Sequence, residues 1–356
     1  MRPWFGLHVP LYTFPDTPPE RIFDRVVEQA QAAESAGFNL VTVMDHLYQI
    51  AGVGADTEPM LEGWSTLNAL ARETSRVRLG RLVTGVTYRH PALLAKMATT
   101  LDVISGGRAI FGLGAAWNEA EHIGYGYDFP SVGERMDRLD EALSIARAMF
   151  TEDRPTFAGR HYRIDRALNV PKPIQPGGLP ILIGGGGEQR TLRIAAKHAD
   201  MTHWFPLGFD ALRHRTEVLE GWCESIGRDP ATIERTRRLR PSASCSESSG
   251  AEARRRASAS DAPESASPGR ARQLAASDAS NCAQCSVARP IRVEILRLVQ
   301  VTAPWQARTQ AREPCRPGNR RFLRFAKAVW ADGARGAELL ASDAGPRSFP
   351  ASRARN

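Results

Sequence analysis

The chain has 356 residues and a formal net charge of +8, a length that accommodates one large α/β domain or two smaller ones. No stretch approaches the roughly 18 apolar residues of a membrane span and the N-terminus has no signal-peptide pattern, so no membrane role is expected and the cytoplasm is the expected compartment. The charge is divided unevenly: residues 1–236 carry 25 Lys+Arg against 29 Asp+Glu, whereas residues 237–356 carry 22 against 10.

Phe5 to Val9 reads as a short strand. From Glu20 onward Ile22, Phe23, Val26, Val27, Ala30 and Ala33 recur at helical spacing, and Gly37 ends that helix. Leu40 to Met44 is a buried strand that stops at Asp45-His46, and Gly63 to Arg76 is a helix. Val77 to Val86 reads as one continuous third strand, followed by a helix that opens on Pro91 and stops at Ser105-Gly106-Gly107. Ala109 to Leu113 is apolar on both faces, as in a parallel sheet covered by helices on both sides. Ser131 and Glu134 form a capping box for the next helix, and residues 151–179 read as a Pro/Gly-rich insertion. Ile181 to Ile183, Glu188 to His198, Met201 to Phe205 and Leu207 to Ile226 supply strand, helix, strand and helix.

These are six β/α units running in one direction. Their regular lengths favour a (β/α)8 barrel over a doubly wound sheet, truncated after six units. Two more strands are needed after residue 230, and the sequence shows none. Instead, residues 237–356 form an Arg/Ser/Ala-rich tail with little apolar periodicity, expected to have low order. Within it, Ile291 to Val301 reads as a short helix or strand and Phe322 to Leu340 as an amphipathic helix. Such text also arises when a GC-rich gene is read out of frame, and the natural frame is then expected to end near Thr236 to Arg240. The domains are accordingly 1–236, an incomplete barrel, and 237–356, the tail.

Several groups of residues at strand ends can carry chemistry. Asp45-His46 ends the second strand, where a histidine beside a carboxylate serves as proton donor or acceptor, or equally caps a turn. Gly184 to Gly187 lies between a strand and a helix, a position that favours a phosphate over the bare turn alternative. Gly85 permits close approach of a flat ligand, and His90 reads as a helix cap. Gly112, Gly114, Ala115 and Ala116 leave a floor without bulk, with Trp117-Asn118 beyond it. Cys282-x-x-Cys285 is a single close pair, so no metal site is expected. One cysteine before residue 237, Cys223, argues against a disulfide framework.

In this order and spacing the text resembles the luciferase-like flavin and deazaflavin oxidoreductase family. The matching segments are MDHL at 44–47, the run from YRHP to WNE at 88–119, GERMDRLDEAL at 133–143, LPILIGGGGEQRTLRIAAKHAD at 179–200 and GRDPATIE at 227–234. The resemblance covers residues 4–236 and implies a barrel, often dimeric, with the cofactor at the C-terminal ends of its strands. The IGGGGE and WNE text is most similar to the branch that uses coenzyme F420. That likeness implies hydride transfer between F420 and a small organic substrate, with His46 and Asp45 as the catalytic, proton-handling pair. It implies a non-prolyl cis peptide at Leu82-Val83, with Leu82, Val83 and Thr84 against the cofactor ring. Gly185, Gly186 and Gly187 fall on the cofactor phosphate site. Ala115 stands where some relatives place a hydroxyl residue, and Asn118 matches a cofactor-contacting Asn if the alignment carries a one-residue gap. Trp117 stands where some relatives place a glutamate general acid, a departure that argues against the sugar-phosphate dehydrogenase branch. The enzymatic alternative is an FMN-dependent monooxygenase with a flavin reductase as partner. The alternative of another class is an inactive fragment or a basic-tailed binder of phosphate or nucleic acid. Nucleic acid is the weaker expectation, because the tail lacks interleaved aromatics and any known module.

Overall fold

A computed structural model describes residues 4–205, 208–238 and 338–342. Seven strands run parallel: β1 (Trp4–Val9), β2 (Leu40–Val43), β3 (Arg78–Arg81), β5 (Ala109–Gly114), β8 (Ile181–Gly184), β9 (Met201–Trp204) and β10 (Glu234–Arg238). Each pairs with the next in that order, so these seven strands curl into an incomplete barrel that they leave open between β1 and β10. The gap between β1 and β10 is spanned by β11 (Glu338–Ser342), antiparallel to both neighbours. Two-residue β4 (Thr84–Gly85) pairs with the end of β5, and β6 (Phe157–Ala158) and β7 (Arg163–Ile164) make a separate hairpin within the expected insertion.

All six expected β/α units are present. The helices are α1 (Ile22–Ala36), α2 (Gly63–Glu73), α3 (Pro91–Ser105), α4 (Glu119–Tyr125), α5 (Val132–Thr151), α6 (Thr191–His198) and α7 (Phe209–Ser225). Their ends follow local chemistry. Gly37 closes α1 in the left-handed region at φ 89°, where its N–H reaches the carbonyls of Ala33 and Glu34. The Glu62 carboxylate accepts from the N–H groups of Trp64 and Ser65 to start α2. His90 caps α3 by accepting from Ala92 N–H, as expected. Ser131 caps α5 by accepting from Glu134 N–H at 3.3 Å, but the box is left open, because the Glu134 carboxylate turns to Arg138.

Several elements differ from the sequence reading, among them the short helix α4, which it did not contain. The third strand is interrupted at Leu82-Val83, whose peptide bond is cis. The helix expected from Glu188 begins at Thr191, after a turn. The seventh strand, β10, lies at the boundary that the sequence assigned to the tail: its ERTRR text is too charged to read as a strand. Glu338 to Leu340, read as the end of an amphipathic helix, belong to β11. Most of the Arg/Ser/Ala-rich stretch, residues 239–337, and the Ile291 to Val301 element within it lie outside the described residues, as does the CxxC pair. The chain divides into a unit formed by Met1–Arg240 with Arg292–Asn356 and a second over Pro241–Ile291; the latter also falls outside the described residues.

The core has two parts. One lies between sheet and helices, where Leu7, Val41, Leu79, Phe111 and Ile183 meet Val26, Leu67, Leu94, Leu101 and Leu143. The other fills the barrel interior with Trp4, Leu40, Ile110, Leu182 and Met201, one residue from each of five parallel strands. Leu82 and Val83 pack onto this interior cluster, so the cis peptide sits directly over the buried centre of the sheet. No helix among the described residues is long and apolar enough to cross a membrane.

Candidate active site

The C-terminal ends of β2, β3, β5 and β8 converge on this bulge. Gly112, Gly114 and Gly184 make room for it: a Cβ on Gly114 or Gly184 would lie 2.8 Å from Val83 Cγ2, and one on Gly112 would lie 2.0 Å from the Arg81 carbonyl oxygen. The strand-end glycines therefore accommodate Val83 and the chain leading into it, and they support a ligand floor only through that side chain. Next to the bulge, the Thr84 hydroxyl is buried without a hydrogen-bond partner among the described residues. A buried hydroxyl left unpaired is costly.

Asp45 and His46 leave β2 side by side but turn to different partners. The buried Asp45 carboxylate accepts from Gly85 N–H at 3.1 Å, from Arg89 at 3.0 Å, and pairs with fully buried Arg81. Arg89 extends its other arm 2.8 Å to Glu62, and Arg81 lies 3.5 Å from the same carboxylate. Two cations and two anions thus balance beneath the strand ends. Burial works to raise the Glu62 pKa, but the N–H groups of Ser65 and Trp64, with Arg89, hold it below the usual carboxylate range.

His46 is oriented by a residue the sequence did not single out. Its Nδ1 donates to Glu121 Oε2 at 2.6 Å, and its Nε2 has no hydrogen-bond partner among the described residues. Glu121 is fully buried on α4, and it also accepts from Leu47 N–H and from the Tyr88 hydroxyl at 2.8 Å. Burial pushes its pKa up, but hydrogen bonds from His46, Leu47 and Tyr88 outweigh that and hold the carboxyl below its usual range. Burial and the Glu121 charge push the Tyr88 hydroxyl upward, so it remains a donor through neutral pH. The Trp117 ring meets the His46 ring edge-on, with centroids 5.6 Å apart.

At the end of β8, Gly185 takes φ 115° and spends its N–H on the His203 carbonyl. Gly186 and Gly187 donate to no described residue. The Arg215 guanidinium of α7 lies over this turn, where a Cβ on Gly186 would come 1.4 Å from one of its nitrogens. Arg215 has no ion-pair partner among the described residues, and it lies against a turn whose Gly186 and Gly187 N–H groups have no described acceptor.

A family model described as luciferase-like monooxygenase matches residues 5–286, past the point at residue 236 where motif-level likeness ends. The chain belongs to this family. Among curated relatives, an F420-dependent glucose-6-phosphate dehydrogenase of Intrasporangium calvum is 35% identical over 46% of this chain and 48% of its own length. An F420-dependent hydroxymycolic acid dehydrogenase of Mycobacterium tuberculosis is 32% identical over 59% and 56%. The chain thus spans about half the length of these relatives. Among solved structures, an F420-dependent secondary alcohol dehydrogenase in complex with an F420-acetone adduct superposes with a TM-score of 0.58 at 25% identity, covering 66% of this chain and 68% of that one. The monooxygenase RslO1 of Streptomyces bottropensis shares the fold, at TM-score 0.56 and 22% identity over 70% and 74%.

Within this luciferase-like chain, Asp45, His46, Leu82, Val83 and Thr84 are neighbours at one end of the barrel. Half-buried Ala115 follows β5, and Asn118 precedes α4 without capping it through its side chain; its carbonyl accepts from His122 Nδ1 at 2.7 Å. Gly185 to Gly187 join the group through Gly184, which packs on Val83. The expected Asp45–His46 partnership is replaced by Glu121–His46. Glu121, Tyr88, Arg81, Arg89 and Arg215 were all missed. The one signal for Glu121 in the sequence was its place in the first turn of a short helix after WN, shared with Glu119, and only the fold decides which of the two faces inward.

Proposed function

We propose that the chain is an F420-dependent oxidoreductase that moves a hydride between the deazaflavin and a small organic alcohol or carbonyl compound. The observation that carries this reading is the His46–Glu121 pair: a buried carboxylate holds one imidazole nitrogen and leaves the other without a described partner, at the end of β2, where the adjacent Asp45 binds Gly85 N–H just after the cis bulge. The residues fit a flat ring with a phosphate-bearing arm. Leu82, Val83 and Thr84 back the ring, with the unpaired Thr84 hydroxyl as a polar contact, and Asn118 and Ala115 flank it. Gly186 and Gly187 N–H groups with Arg215 receive the phosphate.

A bound deazaflavin supplies the two-electron hydride carrier. The protein supplies the proton chemistry. His46 Nε2 takes up or returns the proton of the substrate oxygen, and Glu121 fixes the tautomer and stabilises the imidazolium that results. Asp45 serves as the counter-charge for Arg81 and Arg89 and pins the Gly85 backbone, which holds the bulge in place.

Titrating the purified chain with F420 and with FMN tests the reading. F420 is expected to bind, and its visible absorption to bleach on addition of a suitable alcohol. Preferential FMN binding, with dioxygen consumption once the flavin is reduced, would replace it with the monooxygenase reading; binding of neither would leave the inactive-fragment reading. Glu121→Gln is expected to lower turnover by about 10²-fold or more with cofactor affinity unchanged.

A further inference from the structure

α4 is amphipathic in the inverse sense. Glu121 and His122 are fully buried, while Ile123 and Tyr125 on the same helix are 74% and 52% exposed. Trp117 and Tyr127, just outside its two ends, are 58% and 39% exposed. Tyr48, Tyr125, Tyr127 and Tyr88 contact one another in series. Tyr125 stacks on Tyr48 at 6.3 Å and 26°, and on Tyr127 at 6.1 Å and 16°. Tyr127 leans on Tyr88 at 5.9 Å, whose hydroxyl binds Glu121. At the other end Trp117 touches His46. The tyrosines reach the proton-handling histidine through Tyr88 and Glu121, and Trp117 covers the same histidine from the other end of α4. Arg81 and Arg89, at the strand ends behind it, are both paired with Asp45 and Glu62.

A helix that buries Glu121 and His122 while exposing Ile123 and Tyr125 beside a reaction centre is shaped for a ligand that covers those apolar side chains. With Arg81 and Arg89 paired to Asp45 and Glu62, and with the Glu121 carboxylate directly behind the histidine, the surface next to His46 disfavours a phosphate or carboxylate. We propose that this wall selects a neutral, apolar substrate bearing an aryl or long alkyl group, laid along Trp117, Tyr125 and Tyr127 with its hydroxyl or carbonyl oxygen at His46 Nε2, and that it rejects sugar phosphates. The proposal rests on the reading of His46 given above.

Calorimetric titration of the full chain without cofactor separates the two. The probes are 2-acetylnaphthalene and glucose 6-phosphate. The naphthyl ketone is expected to bind and the sugar phosphate to give no saturable heat. The double variant Tyr125→Ala with Tyr127→Ala is expected to weaken ketone binding by about tenfold or more, while Tyr125→Phe, which keeps the ring, retains it. Unchanged thermal unfolding of both variants confirms that the fold is intact. Equal ketone affinity in the double variant, or tighter binding of the sugar phosphate, overturns the proposal. So does sedimentation showing that the double variant dissociates a wild-type dimer, which would make the wall a subunit interface. A failure to bind F420 would sink the redox reading and leave a positive ketone result standing.

Discussion

Two buried carboxylates, Asp102 and Glu121, stand at opposite ends of β5, and both are fully enclosed. Asp102, at the end of α3, accepts from the N–H groups of Ala109, Ile174 and Gln175 and from the Gln175 side-chain amide. None of these donors titrates, and together they fasten the start of β5 to the loop that leads into β8. Glu121 accepts from one backbone N–H and from two side chains that do titrate, His46 and Tyr88. The same functional group thus serves as a staple at the N-terminal face of the sheet and as a proton-coupled holder at the C-terminal face. In barrels of this kind the first face carries stability and the second carries chemistry. The cost of burying a carboxylate is met in both cases by hydrogen bonds, but only one set of bonds changes when a proton moves.

Removing each acid separates the two roles. Asp102→Ala leaves several buried donors unpaired and is expected to cost about 3–5 kcal/mol in urea unfolding, with ligand affinity preserved in the folded fraction. A loss below about 1 kcal/mol would show that the staple is dispensable. Glu121→Gln keeps the shape, replaces a charged acceptor, and is expected to cost about 1–3 kcal/mol at neutral pH. Because the folded-state pKa of Glu121 lies below its ordinary value of 4.5, its contribution is present above that pH and disappears as pH falls through the lowered folded value. The gap in stability between wild type and Glu121→Gln should therefore close on acidification. A gap that persists at low pH would mean that the bonds to Glu121 do not depend on its charge.

The contrast also explains what the sequence could and could not reveal. Apolar runs such as Leu40 to Val43 and Ala109 to Leu113, and helices ended by Gly37 or Gly106, announce themselves because burial and chain reversal act through local residue type. The cis peptide at Leu82-Val83 was legible only through family resemblance, since nothing in the text VRLGRLVTG distinguishes a bulge from a continuous strand. α4 was not read from the sequence, and its burial runs against residue type: Glu121 is enclosed and Ile123 faces out. β10 was missed for a related reason. Its Glu, Arg and Thr residues find partners across the sheet, as Thr236 does with His203 at 2.9 Å, and such pairings leave no local trace.

The smallest expected effect is also the most specific. Tyr88 contributes one donor to Glu121, and its ring stacks on His122 at 4.8 Å. Tyr88→Phe keeps the stacked ring and removes only the hydroxyl, so the expected loss is about 0.5–1.5 kcal/mol. Losing that donor weakens one of the bonds that depress the Glu121 pKa, so the folded-state value rises towards 4.5 and the acid-side loss of stability begins at higher pH than in the wild type. Urea unfolding across an acidic pH series reads both effects in one experiment. The same substitution has no path to Asp102, whose donors lie at the other end of β5, so an additive cost is expected when Tyr88→Phe is combined with Asp102→Asn. Coupling between the two, or an acid limb that does not move in Tyr88→Phe, would show that the two faces of the barrel are not independent in the way their hydrogen bonds indicate.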